Sequence, residues 1–395
     1  MLQKLISHNE DLQQLQNEGY EVDFLNNTYL MMYNVPYVNS ENEVAYGTLV
    51  SKSKVTGNTV KPNDHTVLWI GDYPCDSQGV DLSKLGENKT QEKIRDGLVT
   101  NFLFSQKPKP EGVYRDHHHK MTQYVKILEN EARAINPNVK ATTFRTLPPD
   151  EEETVFCYYD TSTTRAGITS INDKLKPHRI AIVGLGGTGS YILDLVSKTP
   201  VQEIHLFDGD EFHNHNAFRS PGAPSYDELQ TTTTKVERFA KIYSSMRRNI
   251  FPHPQSIDES NITQLNSMDM VFLCVDKGEP RKLIVNHLVQ NNISFIDVGI
   301  SLLNESESLT GSVRITACTP SFHDHTTDRI PFTSNENDEY SSNIQIADLN
   351  ALNATLAVIK WKKICGFYHD LRNEHHIVYG LSTNTVTNDI IGNEA

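Results

Sequence analysis

Apolar and polar residues are arranged differently in the two halves of this 395-residue chain. In the first half, residues 29–38 and 45–50 are apolar and rich in β-forming side chains, with a polar turn between them, which predicts a β-hairpin. Residues 66–70 predict another buried strand. Between residues 121 and 135 apolar side chains recur every three or four positions, the spacing of one helix face. We therefore expect residues 1–150 to form an α+β domain.

Beyond residue 160, short apolar runs alternate with helical stretches. The predicted strands lie at residues 179–183, 203–207, 268–275 and 293–298, and the predicted helices at residues 188–197, 280–290 and 343–361. Strands that alternate with helices favour a parallel sheet covered on both faces. We therefore expect residues 155–395 to form an α/β domain with a doubly wound, mostly parallel, Rossmann-like sheet. The polar, proline-containing residues 146–153 predict the linker between the two domains.

The last predicted helix carries large aliphatic residues at helical spacing, which predicts that this stripe faces the core. The stripe consists of Ile346, Leu349, Leu352, Leu356 and Ile359. Core packing explains most of this pattern, so we assign it no chemistry.

Composition excludes several classes of protein. The chain has 36 Lys and Arg against 50 Asp and Glu, a formal net charge of −14, whereas a nonspecific nucleic-acid binder needs a basic surface. The sequence lacks both an apolar run long enough to span a membrane and a start typical of a signal peptide. Its five cysteines form no close pairs, which argues against a disulfide framework. We therefore expect a cytoplasmic protein that binds neither nucleic acid nor membrane.

A glycine-rich turn between the first strand and helix of the second domain carries the strongest functional signal. Gly184 allows a tight turn, Gly186 lets the backbone approach a phosphate, and Gly189 lets the helix pack close to the strand. The start of the helix also offers free N–H groups to an anion. The sequence therefore predicts a nucleotide site, whose turn consists of Gly184, Gly186, Gly187, Gly189 and Ser190.

Two carboxylates follow the next predicted strand. Asp208 and Asp210 stand where an acidic residue can accept hydrogen bonds from ribose hydroxyls. Up to this point a nicotinamide-dependent oxidoreductase fits the sequence as well as an ATP-dependent enzyme.

Four polar residues further along the chain distinguish these alternatives. They are Asn216, Arg219, Lys235 and Asp276. With the glycine turn and Asp208, their order along residues 160–365 resembles the ThiF/MoeB/HesA superfamily, the adenylating core of the ubiquitin-activating enzymes. The resemblance implies that Arg219 and Lys235 lie beside a triphosphate. Attack of a carboxylate on ATP needs such cations to bring two anions together, whereas hydride transfer has no use for them.

The resemblance implies an activity and a role for each residue. Members of that superfamily use ATP to adenylate the C-terminal glycine of a ubiquitin-like or sulfur-carrier protein. By the same pattern Asp208 would bind ribose, and Asp210 is a weaker candidate for ribose or loop geometry. The other implied roles are phosphate binding by Arg219 and Lys235, positioning of phosphate or metal by Asn216, and Mg²⁺ binding by Asp276.

The resemblance also bears on assembly and on later steps. It implies a homodimer in which Arg165 reaches the nucleotide of the neighbouring subunit. Cys318, just before the polar residues 321–342, is a candidate for thioester formation with the activated protein. The alternative is transfer of the adenylate to a nucleophile on another protein, such as a conjugating-enzyme-like acceptor. No Cys-x-x-Cys pair occurs, so we do not expect the structural zinc that many members carry.

The first domain has no motif that we can tie to chemistry. Residues 71–75 resemble the strand-and-proline region of ubiquitin-conjugating folds, which would make Cys75 an acceptor; a structural cysteine is the alternative. The neutral hypothesis is that this domain binds the protein substrate or a partner. The resemblance suggests a bacterial ubiquitin-like modification pathway. For the whole chain, an NAD(P)-dependent oxidoreductase and a nucleotide-binding scaffold without turnover remain as alternatives.

Overall fold

The chain divides into two compact units. The computed structural model describes residues 5–6, 8–86, 88–147, 154–332 and 344–391. The first unit comprises residues 1–153 and 158–169, and the second comprises residues 154–157 and 170–395. Most of the predicted linker, residues 148–153, lies outside the described residues, and the predicted domain limits stay predictions.

The first unit is built on an antiparallel sheet. Its strands are β1 (Glu21–Leu25), β2 (Tyr29–Val38), β3 (Val44–Thr56), β4 (Thr59–Pro62), β5 (Thr66–Ile70), β6 (Asn88–Lys89), β7 (Lys93–Arg95), β8 (Leu98–Val99) and β9 (Phe102–Ser105). Its helices are α1 (Glu10–Asn17), α2 (His117–Ile135) and α3 (Thr161–Arg165). The order in the sheet is β1-β2-β3-β5-β9-β6, with β4 on β3, while β7 and β8 form a separate pair.

The hairpin and the helix predicted for this unit are confirmed. Strands β2 and β3 pair antiparallel, from Tyr29 opposite Lys52 to Val38 opposite Val44. Helix α2 packs on these two strands through the predicted face, whose buried residues include Met121, Tyr124, Val125, Leu128 and Ala132. Each fully buried side chain of this kind contributes roughly 1.5–3 kcal/mol, so this face holds the helix on the sheet.

The second unit is built on an eight-stranded sheet. Its strands are β10 (Arg179–Val183), β11 (Glu203–Phe207), β12 (Ile250–His253), β13 (Met270–Leu273), β14 (Ser294–Glu305), β15 (Ser308–Cys318), β16 (Glu374–Gly380) and β17 (Thr385–Ile391). Its helices are α4 (Thr169–Asn172), α5 (Gly187–Ser197), α6 (Asn214–Ala217), α7 (Lys235–Tyr243), α8 (Gly278–Gln290), α9 (Thr326–Arg329) and α10 (Ala347–Ile364). The strand order is β12-β11-β10-β13-β14-β15-β16-β17.

The predicted doubly wound architecture is present in the first five strands of this order. They pair parallel, whereas β14 to β17 pair antiparallel. On β10, Ile180 and Ile182 join one apolar cluster, while Ala181 and Val183 join another. Alternate residues of a strand point to opposite faces, so both faces of the sheet are covered. Strand order reverses at β10, and ligands of such sheets bind at the carboxyl ends of the strands beside that point.

The buried face of α10 differs from the predicted stripe. Of the five predicted residues only Leu349 is buried, and Ile359 is 37% exposed. The face that packs against α5, β14 and β15 is formed largely by smaller and polar residues, among them Asn350, Asn353, Ala354 and Ala357. The stripe was predicted from the largest aliphatic side chains. Close approach to the glycine-rich start of α5 requires small side chains on this face instead. Neither α10 nor any other described helix is long and apolar enough to cross a membrane.

Candidate nucleotide site

The glycine turn joins β10 to α5 and requires glycine at two positions for packing alone. Gly184 has a φ of +91°, and a Cβ there would lie 2.6 Å from the carbonyl oxygen of Cys274. A Cβ at Gly189 would lie 1.9 Å from the carbonyl oxygen of Gly184. At Gly186 the nearest of the described atoms would be 3.9 Å away. The space beside Gly186 is therefore one that the described protein atoms do not fill.

The start of α5 presents backbone donors at this turn. Gly186 is the N-cap residue, and in the described part of the chain no side chain caps the helix there. The N–H groups of a first helical turn lack partners within the helix, and the helix dipole favours an anion at this end. Ser190 is buried, and its hydroxyl donates to the carbonyl oxygen of Gly187 at 2.8 Å. The backbone at this end is thus suited to a phosphate, while the Ser190 hydroxyl is used within the helix.

Asp208 ties the glycine turn to the end of β11. Its Oδ2 accepts a hydrogen bond from the N–H of Leu185 at 2.6 Å, and its Oδ1 accepts one from the N–H of Asp210 at 2.8 Å. The residue is buried, with 8% of its surface exposed. The carboxylate predicted to bind ribose therefore also fixes the backbone of the turn.

Lys235, the first residue of α7, is buried beside the same carboxylates. Its Nζ lies 2.6 Å from Oδ2 of Asp210 and 3.4 Å from Oδ1 of Asp208. A capping box of Thr234 and Glu237 fixes the start of the helix. The hydrogen bond from Lys235 lowers the pKa of the Asp210 carboxyl. Lys235, Asp208 and Asp210 thus form one ionic group at the edge of the turn.

Asn216 and Arg219 lie at and just after α6. Asn216 is buried, and its Oδ1 accepts from the N–H of His213 at 2.8 Å, which commits the carbonyl end of its amide to capping. Nε of Arg219 is buried and has no hydrogen-bond partner among the described residues. Leaving such a donor unsatisfied costs about 1–3 kcal/mol, and more for a charged group. An anion bound at Arg219 would satisfy it.

Asn350 connects the glycine turn to the Arg219 segment, and the sequence analysis assigned it no role. It lies on α10 and is 1% exposed. Its Oδ1 accepts from Oγ1 of Thr188 at 2.9 Å, and its Nδ2 donates to the carbonyl oxygen of Arg219 at 3.3 Å. A Cβ at Gly187 would lie 2.0 Å from this Nδ2, so Asn350 also explains that glycine. The only signal in the sequence is an amide side chain inside a largely apolar helix.

Asp276 lies beside the glycine turn because it follows the neighbouring strand. Val183 at the end of β10 pairs with Leu273 at the end of β13, so Gly184 and Asp276 emerge from adjacent strands at one edge. Asp276 is exposed, and its Oδ2 accepts from Nε2 of Gln345 at 3.3 Å. The structure therefore brings Asp276 to the turn, with Gln345, which the sequence analysis also left without a role.

The cysteines predicted as nucleophiles are placed unfavourably for that chemistry. Cys318 ends β15 and is 1% exposed within an apolar cluster. Its Sγ lies 3.9 Å from Nε2 of His325, but burial raises the pKa of the thiol, whereas a reactive cysteine needs a lowered pKa and access. Cys75 is also buried, and burial together with Asp81 raises its pKa to about 11. This geometry argues against a thioester on Cys318. Residues 333–342 of the predicted polar stretch lie outside the described residues.

Arg165 belongs to the first unit, whereas the glycine turn belongs to the second. It ends α3, is exposed, and its Nε donates to Oδ1 of Asn17 at 2.8 Å. It lines a cavity of about 140 Å³ that is formed by residues of the first unit, including Tyr20, Glu21 and Arg145. Its predicted action on a neighbouring subunit's nucleotide stays a prediction.

Metal ligands are sparse around these residues. In the described ranges there is no group of three or more His, Cys, Asp or Glu side chains that could hold a metal ion. Mg²⁺ is commonly held by one or two carboxylates together with the phosphates of its substrate. A single carboxylate at Asp276 fits that mode of binding.

A model of the ThiF family matches residues 159–375, which is more than half of the chain. The chain belongs to the ThiF family. A model of a domain of unknown function, DUF6791, matches residues 10–161. The predicted ThiF-type fold with an additional domain before it is thereby confirmed.

Relatives of this ThiF-family chain match only part of it. The ubiquitin-like modifier-activating enzyme 5 of Drosophila virilis is 27% identical over 152 residues, which cover 35% of this chain and 37% of that enzyme. The enzyme of the same name from Xenopus laevis is 25% identical over 131 residues, or 30% of this chain and 33% of that enzyme. The chain thus spans about a third of the length of these relatives.

Solved structures show weaker similarity. Escherichia coli MccB crystallised with ATP shares 20% identity and a TM-score of 0.42, over 57% of this chain and 67% of that chain. A structure of PaaA shares 15% identity and a TM-score of 0.45, over 74% of this chain and 92% of that chain.

Proposed function

We propose that this protein uses ATP to adenylate the C-terminal glycine carboxylate of a ubiquitin-like or sulfur-carrier protein. One arrangement carries the proposal. The α5 start, the buried Lys235 with its carboxylates, the Arg219 Nε that has no partner among the described residues, and the carboxylate of Asp276 lie at one edge of the sheet. Membership of the ThiF family supports adenylation. The name of the insect and frog relatives supports a ubiquitin-like modifier as the protein that is activated.

The proposed reaction is a displacement at the α-phosphorus of ATP. An oxygen of the substrate's C-terminal carboxylate forms a bond to the α-phosphorus. The bond between that phosphorus and the oxygen leading to the β-phosphate breaks, and pyrophosphate leaves with the electron pair. The nucleophile is already an anion, so no protein group needs to remove a proton. The work left to the protein is to hold two anions together and to stabilise the charge that moves onto pyrophosphate.

The residues of the site fit this task. The α5 N–H groups and Arg219 would bind phosphate oxygens, and an anion there would satisfy the Arg219 Nε. Lys235 has three ammonium protons; with Asp210 and Asp208 as partners for two of them, one is left for a phosphate. Asp208 would accept from ribose, and Asn216 would position the phosphate segment through its amide. Asp276 would hold Mg²⁺ together with the phosphates, and the bound cation would supply charge neutralisation for the leaving pyrophosphate.

The steps after adenylation are also part of the proposal. Because Cys318 is buried, we favour transfer of the adenylate to a nucleophile on another protein, such as a conjugating-enzyme-like acceptor, over a thioester on this chain. We retain the homodimer, with Arg165 acting across it, and a role for the first unit in binding the substrate or a partner. A bacterial modification pathway remains a prediction.

ATP–pyrophosphate exchange tests the reaction class. Labelled pyrophosphate should enter ATP only when a ubiquitin-like protein with a free C-terminal glycine is present. Removal of that glycine from the substrate should stop exchange, and so should Asp276→Ala or Arg219→Ala. Arg248→Ala serves as a matched control, because the Arg248 guanidinium donates to the carbonyl oxygens of Thr154 and Phe156, away from the turn.

Three outcomes would contradict the proposal. Binding of NAD(P) without any exchange would favour an oxidoreductase. ATP binding that tolerates Arg219→Ala and Asp276→Ala without functional loss would favour a scaffold without turnover. Exchange that does not depend on the C-terminal glycine would place the nucleophile elsewhere.

A further inference from the structure

Gln345 lies between Asp276 and the glycine turn of the nucleotide site. It lies two residues before α10. The residue after it, Ile346, is held at the helix start, because its carbonyl oxygen accepts a hydrogen bond from the N–H of Asn350. On one side its Nε2 donates to Oδ2 of Asp276 at 3.3 Å. On the other side its Oε1 lies 3.9 Å from the position that a Cβ of Gly186 would take. The amide therefore bridges the gap from the carboxylate to the glycine turn.

The oxygen end of this amide is unsatisfied. Oε1 of Gln345 is buried and has no hydrogen-bond partner in the ranges that the structure describes. An acceptor in that condition costs about 1–3 kcal/mol of folding free energy. The cost falls at the edge of the site where a ligand is expected, and it would be relieved if the amide turned and this oxygen gained a ligand as its partner.

We propose that Gln345 is a cation-binding residue, whose amide turns so that Oε1 joins Asp276 as a second protein oxygen for the Mg²⁺ that accompanies ATP. This inference rests on the proposed function. Mg²⁺ binds oxygen ligands, including carboxylate and carbonyl oxygens, at about 2.0–2.1 Å in octahedral geometry, which separates neighbouring ligand oxygens by roughly 3 Å. The amide nitrogen is now 3.3 Å from the carboxylate oxygen. Rotation about the last side-chain bond exchanges nitrogen and oxygen, and so brings an oxygen to a ligand's distance from Asp276.

The present hydrogen bond has a clear function under this proposal. Without a cation, the N–H of Gln345 balances the charge of Asp276. When the cation arrives, rotation about one side-chain bond changes the same group from donor to acceptor. A hydrophobic residue at position 345 could neither donate to Asp276 nor bind the cation, whereas a glutamate would keep an oxygen for the metal.

Binding of Mn²⁺, a paramagnetic substitute for Mg²⁺, tests this role without turnover. The full-length protein is titrated with Mn²⁺ in the presence of α,β-methylene ATP, and free Mn²⁺ is followed by electron paramagnetic resonance. This analogue cannot adenylate a substrate, because the methylene bridge between its α- and β-phosphorus is not cleaved. Loss of a residue that supports a metal typically weakens binding 10- to 100-fold, so we expect Gln345→Leu to weaken Mn²⁺ binding at least tenfold. Gln345→Glu should bind Mn²⁺ at least as tightly as the wild type. Gln290→Leu, at an exposed glutamine of α8, is the matched control and should change nothing.

A second measurement separates the cation from the nucleotide. Affinity for the same analogue in EDTA should be equal in the wild type and in Gln345→Leu, because the proposed loss concerns only the metal. Equal Mn²⁺ affinity in wild type and Gln345→Leu would overturn the role of Gln345 while leaving the proposed function intact. An equal loss of nucleotide affinity in EDTA would also overturn it, since Gln345 would then act on the nucleotide or the fold. A wild type that binds neither analogue nor Mn²⁺ would refute the proposed function together with this inference.

Discussion

Each unit of the molecule buries a lysine, and the two lysines have different surroundings. In the first unit Lys120 lies on α2 and is fully buried, and its Nζ donates to the hydroxyl of Ser51 at 2.9 Å. Burial lowers the pKa of Lys120 to about 8. In the second unit Lys235 faces two carboxylates, those of Asp208 and Asp210. A buried lysine therefore indicates a candidate site only where carboxylates balance its charge and space for a ligand lies beside it.

The surroundings of the two lysines explain this difference. Ser51 lies within strand β3 and is itself fully buried, so Lys120 belongs to a closed core. Lys235 lies at a helix start beside the glycine turn, where the described atoms leave space at Gly186. The motif order in the sequence already points to Lys235. The contacts add that Lys235 belongs to an ionic group beside the turn, whereas Lys120 lies in a core.

The largest expected effect comes from the turn beside Lys235. In Gly189→Ala the new Cβ would lie 1.9 Å from the backbone carbonyl of Gly184, which cannot move aside cheaply. We expect the second unit to lose about 3 kcal/mol or more of its free energy of unfolding. Urea denaturation followed by the fluorescence of Trp361, with Trp69→Phe as background, measures this unit.

Gly186→Ala is the matched control for this prediction. Its Cβ would meet no described atom within 3.9 Å, so stability should change by less than about 1 kcal/mol while nucleotide affinity falls. A stable Gly189→Ala variant, or equal effects at the two glycines, would show that the turn is not packed as described.

Exchanging each lysine for methionine tests the comparison directly. Lys235→Met removes the cation from the glycine turn, and we expect ATP–pyrophosphate exchange to fall at least a hundredfold, about 2.7 kcal/mol of transition-state stabilisation. Lys120→Met should leave exchange unchanged, because that residue lies in the core of the other unit. Lys241→Met, at an exposed position of the same helix α7, controls for loss of charge. Equal activity in Lys235→Met and wild type would remove Lys235 from the site.

The sequence predicted the elements that form the site better than their contacts. The β10 strand, the glycine turn and the strand-end carboxylates follow local rules of pattern and spacing, and each lies where expected. Asn350 and Gln345 could not be found in that way, because their roles depend on α10 packing against a turn more than 150 residues earlier. The prediction of the buried stripe on α10 was wrong for the same reason. The face of α10 near Gly187 buries Asn350 and alanines, where the prediction expected leucines.

The burial of Cys318, the candidate nucleophile, also could not be predicted from the sequence. Cys318 stands at the end of a strand before a polar stretch, a pattern that fits an exposed cysteine equally well. Other members of its apolar cluster, such as Leu288 and Ile330, come from other parts of the chain. Long-range packing therefore decides against the chemical role predicted for Cys318.

A smaller effect, of opposite sign, is expected for the stability of the first unit. The folded pKa of Lys120, about 8, lies below its ordinary value of 10.5, so between these pH values the unfolded chain binds more protons and stability rises with pH. Lys120→Met has no proton to lose and should be more stable than wild type at pH 7. Its advantage should shrink by on the order of 2 kcal/mol by pH 10. Urea unfolding followed by Trp69, with Trp361→Phe as background, measures this unit; an advantage that stays constant with pH would contradict the assignment.

The smallest expected effect concerns Asp210, the exposed partner of Lys235. The hydrogen bond from Lys235 lowers the pKa of Asp210 below its ordinary value of 3.8, so the stabilisation is fully present above pH 3.8 and is lost as the pH falls through the folded value. Because the Asp210 side chain is 76% exposed, solvent screens the pair, and Asp210→Asn should cost less than about 1 kcal/mol at pH 7. The cost should persist down to about pH 5, fade below pH 4, and decrease in 1 M salt. Urea unfolding of the second unit at these pH values and salt concentrations measures it. A cost independent of both pH and salt would mean that Asp210 acts through its backbone contacts, and that Asp208 alone balances the buried lysine.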